Sequence, residues 1–278
     1  MPNLEPICDS HAHLFYPELE AQLDAVLARA VEAGVSIIVN VATEPASNAV
    51  VAAQTRRANT IAGGPRVYTS LGFHPHNAHQ VTPPDWELLA RLADEPEVVA
   101  LGEFGLDYHY DLSPRAEQRE VFRRGIRLAL EKNLPLVVHT RDAAQDTIAI
   151  LDEESRGAMP RGVFHCFTDT WELAEAALER GFYIGLTGIV TYANSENVRE
   201  VARRIPLDRL LVETDAPYCT PEPVRTARRQ ARKKGKDEPN EPALVAHVCA
   251  ALADLYTLDL NEVRRRTCAN ARELFRLP

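Results

Sequence analysis

Short apolar segments alternate along the chain with longer amphipathic segments. The short ones are rich in Val and Ile, as in residues 35–41, and this favours buried strands over helices. In the longer ones, apolar residues recur three and four positions apart, which predicts helices with one buried face. Strands are predicted at residues 6–8, 35–41, 66–72, 97–102, 134–138, 162–164, 182–186 and 210–212. Helices are predicted at residues 17–33, 45–58, 84–93, 114–132, after 142 to about 154, 171–180 and 195–204, followed by a polar, basic loop up to 239 and two or three closing helices.

The regular alternation of strand and helix predicts a parallel sheet. Eight such units in 278 residues predict an α/β fold of the (β/α)₈ TIM-barrel type, formed by one domain over residues 1–278. The alternative is a doubly wound open sheet. Against it, no Gly-rich dinucleotide loop follows the first strand. Polar residues also recur at strand ends along the whole chain, whereas an open sheet would gather its ligand groups at one crevice.

Six of these polar residues have the chemistry of metal ligands. His11 and His13 are two apart at the C-terminal end of the first strand, which continues past its apolar residues 6–8, and they therefore point to the same side of it. A closed barrel would bring the whole set to the mouth at which the strands end. The six candidates are His11, His13, Glu103, His139, His165 and Asp215.

Six ligands are too many for one ion that must keep an open position, and they suit two divalent ions (Zn²⁺, Mn²⁺ or Mg²⁺) about 3.5–4 Å apart. We expect Glu103 to bridge the ions, with His11 and His13 on the first and the remaining two histidines on the second. Asp215 is expected to bind the first ion and to accept a proton from the attacking water. Taken singly, each residue has a structural explanation: a core histidine, a carboxylate paired with Arg, or a turn cap.

The same residues lie in a series of motifs that resembles the TatD-type metal-dependent deoxyribonucleases of the amidohydrolase-like barrels. The motifs occur in family order and span nearly the whole chain. They are Asp9-Ser10-His11-Ala12-His13-Leu14, Gly72-Phe73-His74-Pro75-His76, Gly102-Glu103-Phe104-Gly105-Leu106-Asp107-Tyr108, Val138-His139-Thr140-Arg141-Asp142, Phe164-His165-Cys166-Phe167, Val212-Glu213-Thr214-Asp215-Ala216-Pro217-Tyr218 and Asn240-Glu241-Pro242. The resemblance implies the same six ligands and a nuclease that acts from 3′ ends, mainly on single-stranded DNA, with RNA as a further substrate.

Three other motif positions receive supporting roles. His74 is expected to hold a phosphate oxygen during catalysis, or else to be fixed in its loop beside Pro75. Asp142 is expected to orient His139 by a hydrogen bond, or else to cap a helix. Glu213 is on the same strand face as Asp215 and is expected to be a supporting acceptor or a weak ligand.

Charge adds a second indication of the substrate. The chain carries a net charge of −9, yet a dense basic run follows the eighth strand, at the end of the barrel where the metals are expected. It could follow a phosphate backbone, or it could be a solvated helical face. The run comprises Arg225, Arg228, Arg229, Arg232, Lys233, Lys234 and Lys236, and the aromatic residues expected either to stack on bases or to pack in the core are Phe73, Tyr108, Tyr192 and Tyr218.

The remaining composition concerns the cellular setting. Five scattered cysteines without a Cys-x-x-Cys pair favour reduced thiols and a cytoplasmic protein. No apolar run is long enough to span a bilayer, and the N-terminus lacks the pattern of a signal peptide, so no membrane association is expected. We expect a monomer or a weak oligomer.

Two other functions remain open at this point. The same barrel could cleave an amide, lactone or ester, as in a D-aminoacyl-tRNA deacylase, because polarising a carbonyl and polarising a phosphoryl group use the same ions. The chain could also be a nucleic-acid-binding adaptor that has kept a structural metal. An oligonucleotide assay run beside a panel of small amides separates the first case, and a filled ligand set without an open position would favour the second.

Overall fold

Eight parallel strands, paired strictly in chain order, form the centre of the molecule. The computed structural model describes residues 4–155, 157–232 and 238–278. The strands are β1 Ile7–Ala12, β2 Val35–Val41, β3 Arg66–Leu71, β4 Val98–Asp107, β5 Leu136–Arg141, β6 Gly162–Phe164, β7 Tyr183–Leu186 and β8 Leu210–Val212.

Helices connect the strands and cover the outside of the sheet. They are α1 Pro17–Glu20, α2 Leu23–Glu32, α3 Ser47–Ala58, α4 Pro83–Leu92, α5 Arg115–Lys132, α6 Ala144–Ser155, α7 Trp171–Glu179, α8 Glu196–Ala202, α9 Val224–Arg232, α10 Val245–Tyr256 and α11 Leu260–Phe275. Short 3₁₀ helices lie at Pro75–Gln80, Gly188–Thr191, Leu207–Arg209 and Pro242–Leu244.

The first and last strands meet and close the sheet into a barrel. The Asp215 amide donates to His11 O at 2.8 Å, and the His13 amide donates to Ala216 O at 2.8 Å. Ala12 and Ala216 form a parallel bridge between these two hydrogen bonds. The predicted (β/α)₈ barrel is therefore confirmed.

Several element boundaries differ from the prediction, and three of the differences change the description of an element. The predicted helix over residues 17–33 is interrupted at Ala21 and Gln22, and α1 and α2 flank this break. β4 continues through Glu103 to Asp107, so this carboxylate lies within a strand and not in the loop after one. The predicted basic loop contains α9, because residues 224–232 are mostly Ala, Arg and Gln, which are strong helix formers.

Apolar packing divides into two clusters. The larger contains residues that pack the strands against the surrounding helices, with Phe104 and Phe164 fully buried. The smaller has members on all eight strands and on α11, whose Leu274 and Phe275 lie against residues near the strand starts, such as Tyr183. The second cluster extends through the barrel from α11 to Val41, whose carbonyl contacts His13, and polar side chains lie beyond it at the mouth.

Among the described residues, no single helix is long and apolar enough to cross a membrane. The pair formed by residues 242–256 and α11 passes a test of length and composition when the two are taken together, but it is bent by 114°. Both helices bury apolar residues in the clusters described above, Val248 and Leu252 from α10 and Leu274 from α11 among them.

Candidate metal centre

All six predicted metal ligands converge at the mouth where the strands end. His11 lies on β1, Glu103 on β4 and His139 on β5. His165 follows β6 directly, and Asp215 lies in the loop after β8. His11 and Glu103 are more than 90 positions apart in the sequence, and closure of the barrel brings them together.

Glu103 lies at the centre of the group and is only 2% exposed. Its Oε1 is 2.7 Å from His165 Nε2 and 2.9 Å from His139 Nδ1. Its Oε2 faces the other way and lies 3.5 Å from His11 Nε2. Each oxygen of this carboxylate thus faces a different set of imidazoles, which is the arrangement expected of a bridging ligand.

His11, His13 and Asp215 form the set beyond Oε2. His11 Nε2 and His13 Nε2 lie 3.3 Å apart, and Asp215 Oδ1 lies 3.3 Å from the latter atom. The three residues can hold one ion between them. His11, Glu103 and His165 form a further group that could hold an ion, so the expected division of the ligands between two ions stays a prediction.

His74 joins the set around Oε1. Its Nε2 lies 3.5 Å from Glu103 Oε1 and 3.3 Å from His139 Nδ1. These three residues can also hold an ion, so His74 is placed as a potential ligand as well as a potential phosphate contact. Only 12% of its side-chain surface is exposed, at the edge of the mouth.

Three of the imidazoles have their second nitrogen next to an acceptor. His13 Nδ1 donates to Val41 O at 2.8 Å, and His139 Nε2 lies 3.2 Å from Asp107 Oδ2. His165 Nδ1 lies 3.4 Å from Glu213 Oε1, within ion-pair range but without hydrogen-bond geometry. An acceptor on one ring nitrogen fixes the tautomer and leaves the lone pair of the other nitrogen free for a metal.

The expected role of Asp142 is not what the structure shows. Its carboxylate is 66% exposed and lies 3.0 Å from His109 Nδ1. The carboxylate next to Nε2 of His139, on the side of the ring away from Glu103, is that of Asp107. Asp107 is 1% exposed and its Oδ2 also lies 2.9 Å from His76 Nε2. Asp142 follows His139 closely in sequence, but β5 ends at Arg141 and the chain turns away after it.

Alternation along β4 was the signal that could have identified Asp107. Glu103 and Asp107 are four residues apart, and positions an even number apart on a strand face the same side. Phe104 and Leu106, between them, are fully buried in the larger apolar cluster. A strand that is predicted to end at Gly102 leaves Glu103 and Asp107 outside it, so the prediction misses this alternation.

The segment beside the ligands on β1 and β8 is held by buried hydrogen bonds. Asp9 accepts from the Thr214 amide at 2.9 Å and from its hydroxyl at 2.6 Å. The Ser10 hydroxyl lies 3.1 Å from Glu213 Oε2, and the Cys166 amide donates to the other oxygen of the same carboxylate. Burial raises the pKa of Asp9 to about 7, although the hydrogen bonds from Thr214 oppose the shift. These contacts fix the backbone that carries His11 and Asp215.

Charge within the site is carried by carboxylates and imidazoles. Burial opposes ionisation of Glu103, but His165 and His74 hold the pKa of this carboxyl well below its usual range. Burial also disfavours a charged imidazole, yet Glu103 raises the pKa of His165 well above its usual value. The two therefore form a buried ion pair, and a cation that binds His165 must displace its proton.

The donor set fits divalent metal ions. In the ion pairs found among the described residues, Glu103, Asp107 and Asp215 pair only with histidines, never with Lys or Arg. The Nδ1 atoms of His11 and His165 are buried without a hydrogen-bond partner. Buried carboxylates without a permanent positive partner are costly, and cations between them would remove the cost.

The basic segment is partly engaged elsewhere. Arg225 lies over the Tyr192 ring at 4.1 Å and contacts Glu222 Oε1 at 3.4 Å. Arg228 donates to Pro239 O and pairs with Glu238 at 3.7 Å. Arg229 is exposed on α9. The Arg232 side chain, Lys233, Lys234 and Lys236 lie outside the described residues, so the expectation for them stays a prediction.

The four aromatic candidates are placed differently. Phe73 is fully buried and belongs to the core, against Trp86. The Tyr108 hydroxyl donates to Asp146 of α6 at 2.6 Å. Tyr192 is beneath Arg225, whereas Tyr218 is 52% exposed with its ring centre 6.4 Å from that of His13. Of the four, Tyr218 is the one that is exposed beside a predicted metal ligand.

Comparison with known proteins agrees with this arrangement. Residues 8–276 match the family described as TatD related DNase. The chain is 41% identical to the uncharacterized metal-dependent hydrolase YcfH of Escherichia coli K12 over 98% of this chain and 96% of that protein. It is 36% identical to the 3′-5′ ssDNA/RNA exonuclease TatD of Erwinia billingiae, covering 92% of this chain and 93% of that one. The crystal structure of the TatD homologue YJJV from Escherichia coli K12 superposes with a TM-score of 0.86 at 28% identity and covers 98% of both chains. The family match over almost the whole length, with a barrel whose mouth gathers histidines and carboxylates, shows that this chain belongs to the TatD family of metal-dependent hydrolases.

Proposed function

We propose that the protein is a two-metal phosphodiesterase that removes nucleotides from the 3′ ends of nucleic acids, with single-stranded DNA as its main substrate and RNA as a second one. The observation that carries the proposal is the orientation of Glu103, whose two oxygens face two separate sets of imidazoles. The name of the Erwinia relative, an exonuclease for single-stranded DNA and RNA, supports the choice of substrate.

The side chains divide into two ion sites that share one carboxylate. We place His11, His13 and Asp215 on the first ion. We place His139, His165 and His74 around the second, because all three lie near Glu103 Oε1, and Glu103 lies between the two sites. When bound, two such ions lower the pKa of a coordinated water and neutralise charge on a phosphoryl group. The metals are Zn²⁺, Mn²⁺ or Mg²⁺, since imidazole and carboxylate suit all three.

The residues of the chain supply the remaining chemistry. Asp215 is the proton acceptor for the attacking water, because it is 9% exposed and its Oδ1 borders the first ion site. Burial opposes its ionisation, but His13 lowers the pKa of Asp215, so it is a carboxylate at neutral pH. His74, on the rim, positions a phosphoryl oxygen, and Tyr218, whose ring lies near that of His13, offers an exposed ring for a terminal base.

Phosphate contacts beyond the scissile bond are assigned to α9. Arg229 is exposed there and can bind a phosphate directly. Arg225 and Arg228 contribute positive potential while they remain paired with Glu222 and Glu238. Because Arg225 and Arg228 already form these ion pairs, we expect them to contribute less than Arg229 to the free energy of nucleic-acid binding.

The test compares oligonucleotides labelled at either end with a panel of small amides and esters, using protein reconstituted with each metal. We expect stepwise shortening from the 3′ end, faster on single strands than on duplexes. Asp215→Asn should lower kcat by about 10²–10⁴-fold because it removes the proton acceptor. Asp24→Asn, a change at an exposed residue of α2, is the matched control. Cleavage of an amide or ester with intact oligonucleotides would overturn the proposal.

A further inference from the structure

Two cysteines lie directly beside the metal centre without belonging to either ion site. Cys166 follows His165 after β6, and Cys219 lies in the loop after β8. Their sulfur atoms are 3.9 Å apart, and neither is in a disulfide. Cys219 Sγ is also 3.4 Å from Asp215 Oδ2, and the three side chains can hold an ion between them.

These distances match the spacing of ligands around one tetrahedral soft cation. With metal–sulfur bonds of about 2.3 Å, two thiolates on a tetrahedral zinc lie about 3.8 Å apart. A thiolate and a carboxylate oxygen on the same ion lie about 3.6 Å apart. The observed 3.9 Å and 3.4 Å differ from these spans by small fractions of an ångström, within the movement of a side chain.

The spacing is a property of a backbone that buried groups hold in place. The Cys166 amide donates to Glu213, which is fully buried. On the other side, the Asn240 side chain, also fully buried, donates to Tyr218 O, next to Cys219. A methyl group added at Gly188 would overlap Cys219 O, so that loop has no room to shift in this direction. Both sulfur atoms are therefore presented at fixed positions, and both residues are partly accessible from the mouth.

We propose that Cys166, Cys219 and Asp215 form a separate site for a soft divalent cation such as Zn²⁺ or Cd²⁺, next to the hydrolytic centre and sharing Asp215 with it. Thiolates select soft ions, whereas the hydrolytic centre offers only nitrogen and oxygen. A water or a phosphate oxygen completes the fourth position. On coordination the two thiols lose their protons.

Sharing of Asp215 couples the new site to the hydrolytic centre. Its Oδ1 faces His13 and its Oδ2 faces Cys219. An ion on the sulfur side draws this carboxylate away from the role of proton acceptor. The site therefore makes hydrolysis sensitive to soft cations supplied in excess of those that fill the hydrolytic centre.

The test is a spectroscopic titration of the full-length, metal-free, reduced protein with Cd²⁺. Coordination of thiolate to cadmium produces an ultraviolet charge-transfer band, which imidazole and carboxylate do not. We expect the band in the wild type, about half of it in Cys166→Ala and in Cys219→Ala, and none in the double variant. Cys249→Ala, which removes a buried thiol of α10, is the matched control and should keep the full band.

A second measurement does not depend on any variant. Excess Zn²⁺ should protect Cys166 and Cys219 of the native wild type from alkylation, as counted by mass spectrometry. Absence of the cadmium band, its persistence in the double variant, or equal alkylation of both thiols with and without Zn²⁺ would overturn the inference. Neither readout involves nucleic acid, so both are independent of whether the proposed nuclease activity is found.

Discussion

Replacement of Asp107 by Asn tests how the centre holds His139. In the wild type, Oδ2 of Asp107 faces His139 Nε2 at 3.2 Å and His76 Nε2 at 2.9 Å. Its Oδ1 accepts from the amides of His109 and Tyr110 at 3.0 and 2.8 Å. In the variant, the amide oxygen can keep the two backbone contacts only by pointing the NH₂ group at the two imidazoles. Donor then faces donor, and His139 loses the acceptor that fixes its tautomer.

The expected decrease in metal affinity follows from the loss of this one contact to His139. Removing the partner of a metal-bound histidine typically costs 10–100-fold in metal affinity or activity. For Asp107→Asn this corresponds to about 1.4–2.7 kcal/mol of metal-binding free energy. Because one backbone-facing oxygen is retained, the fold should remain intact by circular dichroism.

The assay is a competition between the protein and a chromophoric chelator for the metal, combined with steady-state kinetics. Asp142→Asn is the matched control, since Asp142 is exposed and contacts His109, not His139. It should change metal affinity by less than about twofold. The reasoning is refuted if Asp142→Asn weakens metal binding as much as Asp107→Asn, or if Asp107→Asn has no effect.

Three further predictions concern the strand wall, a helix pair and the metals. Gly105→Ala places a methyl group against His139 O at a residue whose φ is +148°. We expect the free energy of unfolding, measured by urea denaturation, to fall by about 1–3 kcal/mol and metal binding to weaken. Wild-type values for both quantities would contradict this prediction. Arg127 and Arg123 lower the pKa of Glu154 from 4.5 to about 2, so this carboxylate stabilises the fold above its usual pKa and loses that contribution as the pH falls. Because solvent screens these ion pairs, Glu154→Gln should lower the free energy of unfolding by at most about 1 kcal/mol at neutral pH. The difference between wild type and variant, measured by urea denaturation, should become smaller as the pH falls from 4.5 towards 2. A difference that is constant over this range would exclude the ion pairs as its cause. Removal of the metals by a chelator should abolish activity while the far-ultraviolet circular dichroism spectrum stays unchanged, because the two apolar clusters stabilise the barrel without the metals. Simultaneous loss of activity and of the helical spectrum would contradict this prediction.

The fold was accessible from the sequence because period and composition both point to it. Strand segments such as Val35–Val41 are mostly apolar, since in a closed parallel barrel both faces are covered. The site was accessible for the same reason: a barrel brings all strand ends to one mouth, so the positions of His11 and Asp215 in sequence imply proximity in space.

Strand ends and side-chain partners were less accessible. Where β4 enters the mouth, its inward residues turn polar, and in a sequence this resembles the start of a loop. The motif that contains His139 draws attention to Asp142, whereas the acceptor next to His139 Nε2 is Asp107 on the neighbouring strand, opposite Arg141. Pairing of Cys166 with Cys219 depends on loop geometry at two distant positions, and no periodicity encodes it.

The seam between β1 and β8 has a consequence for synthesis of the protein. His11 and His13 are synthesised long before Asp215, whose amide donates a hydrogen bond to His11 O. A nascent or truncated polypeptide that stops short of residue 210 therefore carries an incomplete cage. Such a fragment also lacks the hydrogen bonds that join the segments around Ala12 and Ala216, so neither the closed barrel nor the full set of candidate ligands can form without the C-terminal region.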